Sequence, residues 1–178
     1  MLFEFDGHCP SLGRGTYVSE TAQVIGDVVI GDNCYVGHGA ILRGDYGRIE
    51  IGSGTAVEEG VIIHAPPGGL NRIGKSVTLG HGAILHGNGI GDYSVIGMGA
   101  ILSIFSETGE WTIVGEGAVV RASQKLPARV VAVGNPAAVV RDISERDVEL
   151  WTYGKQVYLD LAKKYFQQPM RRIDITPV

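Results

Sequence analysis

Cysteine is nearly absent from this sequence. Two residues in 178, Cys9 and Cys34, make neither a disulfide framework nor a CxxC ligand pair. Positive charge is also scarce: the formal net charge is -4, which leaves no electrostatic footprint for nucleic acid. The pair Arg171 and Arg172 is too short for a membrane or DNA patch and reads as a solvated tail. No apolar run approaches the length of a membrane span, and the start "MLFEFDGHCP" lacks the basic-then-apolar order of a signal peptide. These absences set the expectation of a reduced, cytoplasmic protein without nucleic-acid or membrane partners. With 44% hydrophobic and 19% charged residues, the chain suits one domain with a sizeable core.

What the sequence has in quantity is glycine, 27 residues at regular places. Aliphatics recur every six positions: Val18, Val24, Ile30, Val36 and Leu42, then Ile51, Val57 and Ile63, then Ile73, Leu79 and Leu85. After a five-residue step the series continues through Ile90, Ile96, Leu102, Thr108, Val114 and Val120. A glycine often follows, and two residues before each stands something small or β-branched, such as Cys34, Ala40, Thr55 or Ala83. A sustained period of six fits neither an alternating strand nor a helix and marks a solenoid. The register resembles the hexapeptide repeat of left-handed parallel β-helices, in which three hexapeptides make one triangular coil. That resemblance supplies the handedness; the general preference for right-handed crossovers points the other way. The pattern covers residues 16 to about 122, within a β-helix domain at 1–140.

Counting coils places the histidines. Leu42, Ile63 and Leu85 fall on one face in successive coils, so the residues after them, Arg43, His64 and His86, form a column. Adjacent strands lie about 4.8 Å apart, and two imidazoles at that spacing make half of a metal site, with metal–nitrogen bonds of about 2.0–2.1 Å. His81 belongs to the preceding face, with Glu58. To complete a three-histidine site it must come from another subunit, which predicts an obligate homotrimer. Three such histidines without covering acids suit a metal better than a satisfied core; His8 and His38 lie outside the convergence.

Residues 141–178 change character. Ser144 with Asp147 reads as a capping box, and Val148, Trp151, Tyr158, Leu161 and Tyr165 recur at helical spacing until Pro169. A helix of about 22 residues spans roughly 33 Å, enough to lie along the prism, and its aromatic stripe reads as packing.

At "ILRGDYGRI", "VEEGVIIH" and "GHGAILHG" the chain resembles the gamma-class carbonic anhydrase family, in the shorter-loop branch with phenylacetate- and carnitine-operon members. The likeness runs from the opening "FDG" through "VGNPAAVVR" to the C-terminal helix. It implies that His64, His81 and His86 bind the metal, and that Arg43 and Asp45 tie adjacent subunits together. It further implies reversible hydration of carbon dioxide to bicarbonate by metal-activated water, a lyase reaction. Zinc is the expected metal, with Fe2+ and Co2+ also suited to imidazole. The catalytic candidates are Glu58, Glu59 and Arg43. Departures are visible. Glu58 replaces the family's water-orienting glutamine, Ala56 an asparagine and Asn88 a cysteine, and a tyrosine often found near the solenoid's end aligns with Val130. The long acidic loop after the first histidine is reduced to "APPGGLNR", and the repeat at "SIFSETGEWT" is degenerate. Three functions follow as alternatives: carbon dioxide hydration, acyl transfer or thioester hydrolysis on acyl-CoA, or a catalytically silent metal-bearing trimer.

Overall fold

The computed structural model describes residues 1–87, 89–171 and 173; Asn88 and Arg172, both singled out above, lie outside the described residues. The described chain is mainly β, a parallel solenoid with one C-terminal helix. Most strands are two or three residues long, too short to persist alone. Each survives because its amides bond to the coils on either side: Ile62 N–H donates to the Ala83 carbonyl at 2.9 Å, and Ile84 N–H to that of Ala100 at 2.9 Å.

Stacking produces three faces. Two of them share a 12-stranded sheet, because the longer strands Gln23–Ile30 and Ile41–Ile51 run around a corner. The third is a separate 8-stranded sheet that includes Tyr35–Val36, Ala56–Val57 and Thr78–Leu79, closed at one edge by the antiparallel strand Ala138–Asp142. The six-residue series points inward, and Val24, Val36, Leu42, Val57, Ile63, Leu79, Leu85 and Ile96 are wholly buried. The series also outlasts residue 122, because Leu126 and Ala132 keep the period and pair under Thr108 and Val114.

The small residues two positions earlier sit at the corners, also buried. Where they carry a hydroxyl, it satisfies a carbonyl of the next coil: Thr55 Oγ1 donates to Gly74 O at 2.8 Å and Ser94 Oγ to Gly109 O at 2.8 Å. Gly82 follows His81 at φ +69, the left-handed region that glycine enters without strain. Gly91 answers a different demand. A Cβ there would lie 2.4 Å from Glu110 N and from Gly109 C.

Helix α1 (Glu145–Gln167) starts at the capping box: Asp147 N–H donates to Ser144 Oγ at 3.3 Å, and Ser144 N–H to Asp147 Oδ2 at 2.7 Å. It packs on the third face, where Tyr35, Ala56 and Ala162 are buried with Tyr17, Tyr158, Leu161 and Tyr165 around them. Tyr17 and Tyr165 stack with centroids 4.7 Å apart.

Because the obstruction at Gly91 is main chain, Gly91→Ala must spread two coils; overpacking of this kind costs about 1–3 kcal/mol. Urea denaturation of the purified variant is expected to show a lowered midpoint with an unchanged slope.

Candidate metal centre

The strands Ile41–Ile51, Ile62–His64 and Ile84–His86 pair in register, with Leu42 opposite Ile63, Ile63 opposite Leu85, Arg43 opposite His64 and His64 opposite His86. Alternation along a strand turns Arg43, His64 and His86 outward together. The imidazoles of His64 and His86 are half-buried and parallel, with centroids 5.0 Å apart and planes 7° apart.

Arg43 Nη1 pairs with Asp45 Oδ2 of the same chain at 2.9 Å. The other carboxylate oxygen, Oδ1, lies 3.3 Å from His64 Nε2. That pair is close but not aligned, and both atoms are buried without a hydrogen-bond partner. Burial and then the Arg43 charge hold the His64 imidazole below its usual value, against the pull of Asp45. A buried ring nitrogen with no donor to meet it, on a ring biased to be neutral, is what a metal ligand requires. The donor set therefore fits a divalent cation.

His81 stands elsewhere. It follows Thr78–Leu79, in the third-face sheet, and Leu79 pairs with Val57, which brings Glu58 and Glu59 alongside. Contrary to the expectation of uncovered histidines, His81 is flanked by acids: Nδ1 lies 2.8 Å from Glu59 Oε2, and Nε2 lies 3.2 Å from Glu58 Oε2. The period placed Glu58 on this face; only the corner between them turns both carboxylates onto one ring. Glu58 is 5% exposed and also accepts the His81 backbone N–H at 3.1 Å. Burial raises its carboxyl above the usual range, while the Tyr158 hydroxyl and His81 pull the other way. Burial would raise Glu59 as well, but the Tyr35 hydroxyl, a backbone N–H and the nearby imidazoles together bring it below the usual range.

The helix reaches His81, which the reading of its aromatics as packing did not anticipate. Tyr158 Oη lies 3.4 Å from His81 Nε2. Val130, aligned with the family tyrosine, is instead buried at the start of the strand Val130–Val133. One turn before Tyr158, the buried Lys155 donates from Nζ to Thr78 Oγ1 and Ser94 O, each at 3.2 Å. Burial pushes its ammonium down to about 7, against the attraction of Glu58. A lysine among helical aromatics was the one available signal. His38 has partners away from the other histidines, its Nδ1 2.6 Å from Ser19 Oγ and its Nε2 3.1 Å from Tyr165 Oη on the helix. The loop "APPGGLNR" makes a tight turn, Gly69 N–H donating to Pro66 O at 2.8 Å, and enters the strand Leu70–Ile73 directly. Beside Asp45 an open depression of about 330 Å³ is lined by Asp27, Tyr46, Arg48 and Gly68. Among the described residues of one chain, no three histidine, cysteine or acidic side chains group as metal ligands, and no helix is long and apolar enough to cross a membrane.

A parallel β-solenoid with hexapeptide registers defines the class. Residues 10–44 match the model of the family described as "Bacterial transferase hexapeptide (six repeats)". The carnitine operon protein CaiE of Proteus sp. is 35% identical over 161 residues, covering 90% of this chain and 82% of that protein. The mitochondrial gamma carbonic anhydrase 1 of Arabidopsis thaliana is 31% identical, over 93% of this chain and 62% of its own length. A crystal structure of a hexapeptide transferase family protein from Anaplasma phagocytophilum superposes with a TM-score of 0.88 at 30% identity, covering 92% of this chain and 97% of that one. The chain belongs to the hexapeptide-repeat family, with CaiE and gamma carbonic anhydrase proteins among its relatives.

The lowered Lys155 value fixes a sign. Between about pH 7 and the ordinary 10.5, the unfolded chain binds a proton at this lysine that the folded chain has released, so its contribution to stability rises with pH. Wild type is expected to gain stability relative to Lys155→Met across that window, read from urea midpoints at successive pH values.

Proposed function

We propose that the protein is a metal-dependent enzyme of the carbonic anhydrase type, with sites completed between subunits of a homotrimer. The observation that carries the reading is the split site: a stacked His64–His86 pair with a buried, unpartnered nitrogen on one face, and His81 on another. Beside the pair, Ile62, Ile84 and Ile101 align in register and each stays 39% exposed. An apolar row of this kind suits a second copy of the chain better than water. Docked there, a neighbour's His81 side would meet the histidine pair.

A divalent cation held by the three imidazoles supplies Lewis acidity that activates water near neutral pH. His64, His81 and His86 would hold the cation, and Arg43, steered by Asp45, would add positive charge beside it. Glu58, buried beside His81, would receive the proton that water loses as its oxygen bonds to the carbon of carbon dioxide and one carbon–oxygen π bond opens onto oxygen, giving bicarbonate.

A second reading is acyl chemistry on thioesters. The open depression beside Asp45 and the short turn after His64 leave room for a substrate larger than carbon dioxide, and the Anaplasma phagocytophilum neighbour is a hexapeptide transferase family protein. A panel of acyl-CoA substrates with thiol detection separates the two.

Metal analysis of the purified oligomer is expected to find a divalent ion, and stopped-flow assays to find carbon dioxide hydration that stripping the ion abolishes. Hydration no faster than in the stripped control would remove the first reading. Neither His64→Ala nor His81→Ala should retain metal alone, yet trimers reassembled from the two variants should recover some, because such mixtures rebuild intact pairs. Absence of any recovery would refute the shared geometry. Ile84→Lys, which puts a charge into the apolar row, is expected to shift the oligomer toward monomer in sedimentation velocity.

A further inference from the structure

We propose that Glu59 and Tyr35 are a positioning pair that fixes the tautomer of His81 and so decides which imidazole nitrogen is offered to a ligand. The inference rests on the reading of His81 as a metal-binding residue and goes beyond it, since it makes Glu59 a holder of the ring.

Both oxygens of the Glu59 carboxylate are engaged. Oε2 lies 2.8 Å from His81 Nδ1, and Oε1 accepts from the Tyr35 hydroxyl at 2.5 Å. Tyr35 is itself immobilised. It is 1% exposed and packs among the rings of Tyr17, Tyr158 and Tyr165, at centroid distances of 5.7, 5.4 and 6.3 Å. Two of those rings come from α1, so the helix clamps the tyrosine that anchors the acid. Gly37 leaves the space the carboxylate occupies: a Cβ there would stand 2.7 Å from Glu59 Oε1.

A neutral imidazole carries one N–H, so only one of the two acids beside His81 can accept it. Glu58 is the weaker competitor. Its nearer oxygen is 3.2 Å from Nε2 and already accepts the His81 backbone N–H. Glu59 is closer and held from behind, which places the proton on Nδ1 and leaves the Nε2 lone pair free, with the Tyr158 hydroxyl 3.4 Å away and able to donate to it. Histidines that bind metals are oriented in this way by a carboxylate on the far nitrogen, and loss of that carboxylate typically lowers metal affinity about 10- to 100-fold.

The test reads the tautomer before any metal is added. Nitrogen-15 shifts of His81 in the metal-free full chain, at a pH where the ring is neutral, are expected to show the proton on Nδ1. Glu59→Ala should move the ring toward the Nε2–H form and lower cobalt(II) affinity, followed by visible absorption, about 10- to 100-fold. Tyr35→Phe should move both readouts the same way by less. Glu59→Gln, whose amide oxygen still accepts from Nδ1–H, should keep the tautomer and most of the affinity. The proposal is overturned if Glu59→Ala, with circular dichroism and thermal transition intact, keeps the wild-type tautomer. It is equally overturned if Glu59→Gln behaves like Glu59→Ala. A wild-type protein that takes up no cobalt would sink the metal reading, and the metal-free nitrogen shifts would still decide the role of Glu59.

Discussion

The constraint on which the molecule depends is the in-register hydrogen bonding of one coil to the next. Apart from the antiparallel pair Val130–Val133 and Ala138–Asp142, the described strands pair with strands of neighbouring coils, so backbone amides on the flat faces find their acceptors there. A slip of one residue would turn every inward aliphatic to solvent. Register is therefore held by the whole buried column from Val24 to Val120, and any outward side chain inherits that precision. The parallel imidazoles of His64 and His86 are a consequence of how Leu42, Ile63 and Leu85 fill the interior.

The two histidine faces differ in what surrounds them. On one, Arg43 and Asp45 share the column with the imidazole pair, and the outward neighbours are bare isoleucines. On the other, His81 sits between two carboxylates and beneath the helix, with buried Glu58 and Lys155 close by. Burying a carboxylate and an ammonium carries a desolvation cost that a hydrophobic face would avoid. A structural cap for the third sheet would need only the stripe of Tyr158, Leu161 and Tyr165. The polar groups threaded between those aromatics mark this face as more than a lid, and they bring Tyr158 against His81 and Lys155 against Thr78.

Much of this was legible in the chain itself. The six-residue spacing gave the solenoid, the inward set and the corners, and simple counting put Arg43, His64 and His86 in one column and His81 beside Glu58 on another. Ser144 and Asp147 marked the helix start because a capping box is a local contact over three residues. The far end of the solenoid was harder to see, since Leu126 and Ala132 keep the period amid prolines and charged residues. Among the site residues, Glu59 was a catalytic candidate, but its contact with His81 and the tyrosines behind it were not visible.

By itself, then, the sequence determined the repeat, the register and the alignment of side chains along each face, because all three follow from short-range spacing multiplied by stacking. Only the tertiary structure decided which side chains meet across elements: Tyr158 with His81, Lys155 with Thr78, Tyr165 with His38. Those partners lie 77 and 127 residues apart, and no local period encodes where a helix will settle on a sheet. That placement is set by how the aromatic face of α1 fits over Tyr17, Tyr35 and Ala56, a matter of shape that exists only once the coils are stacked.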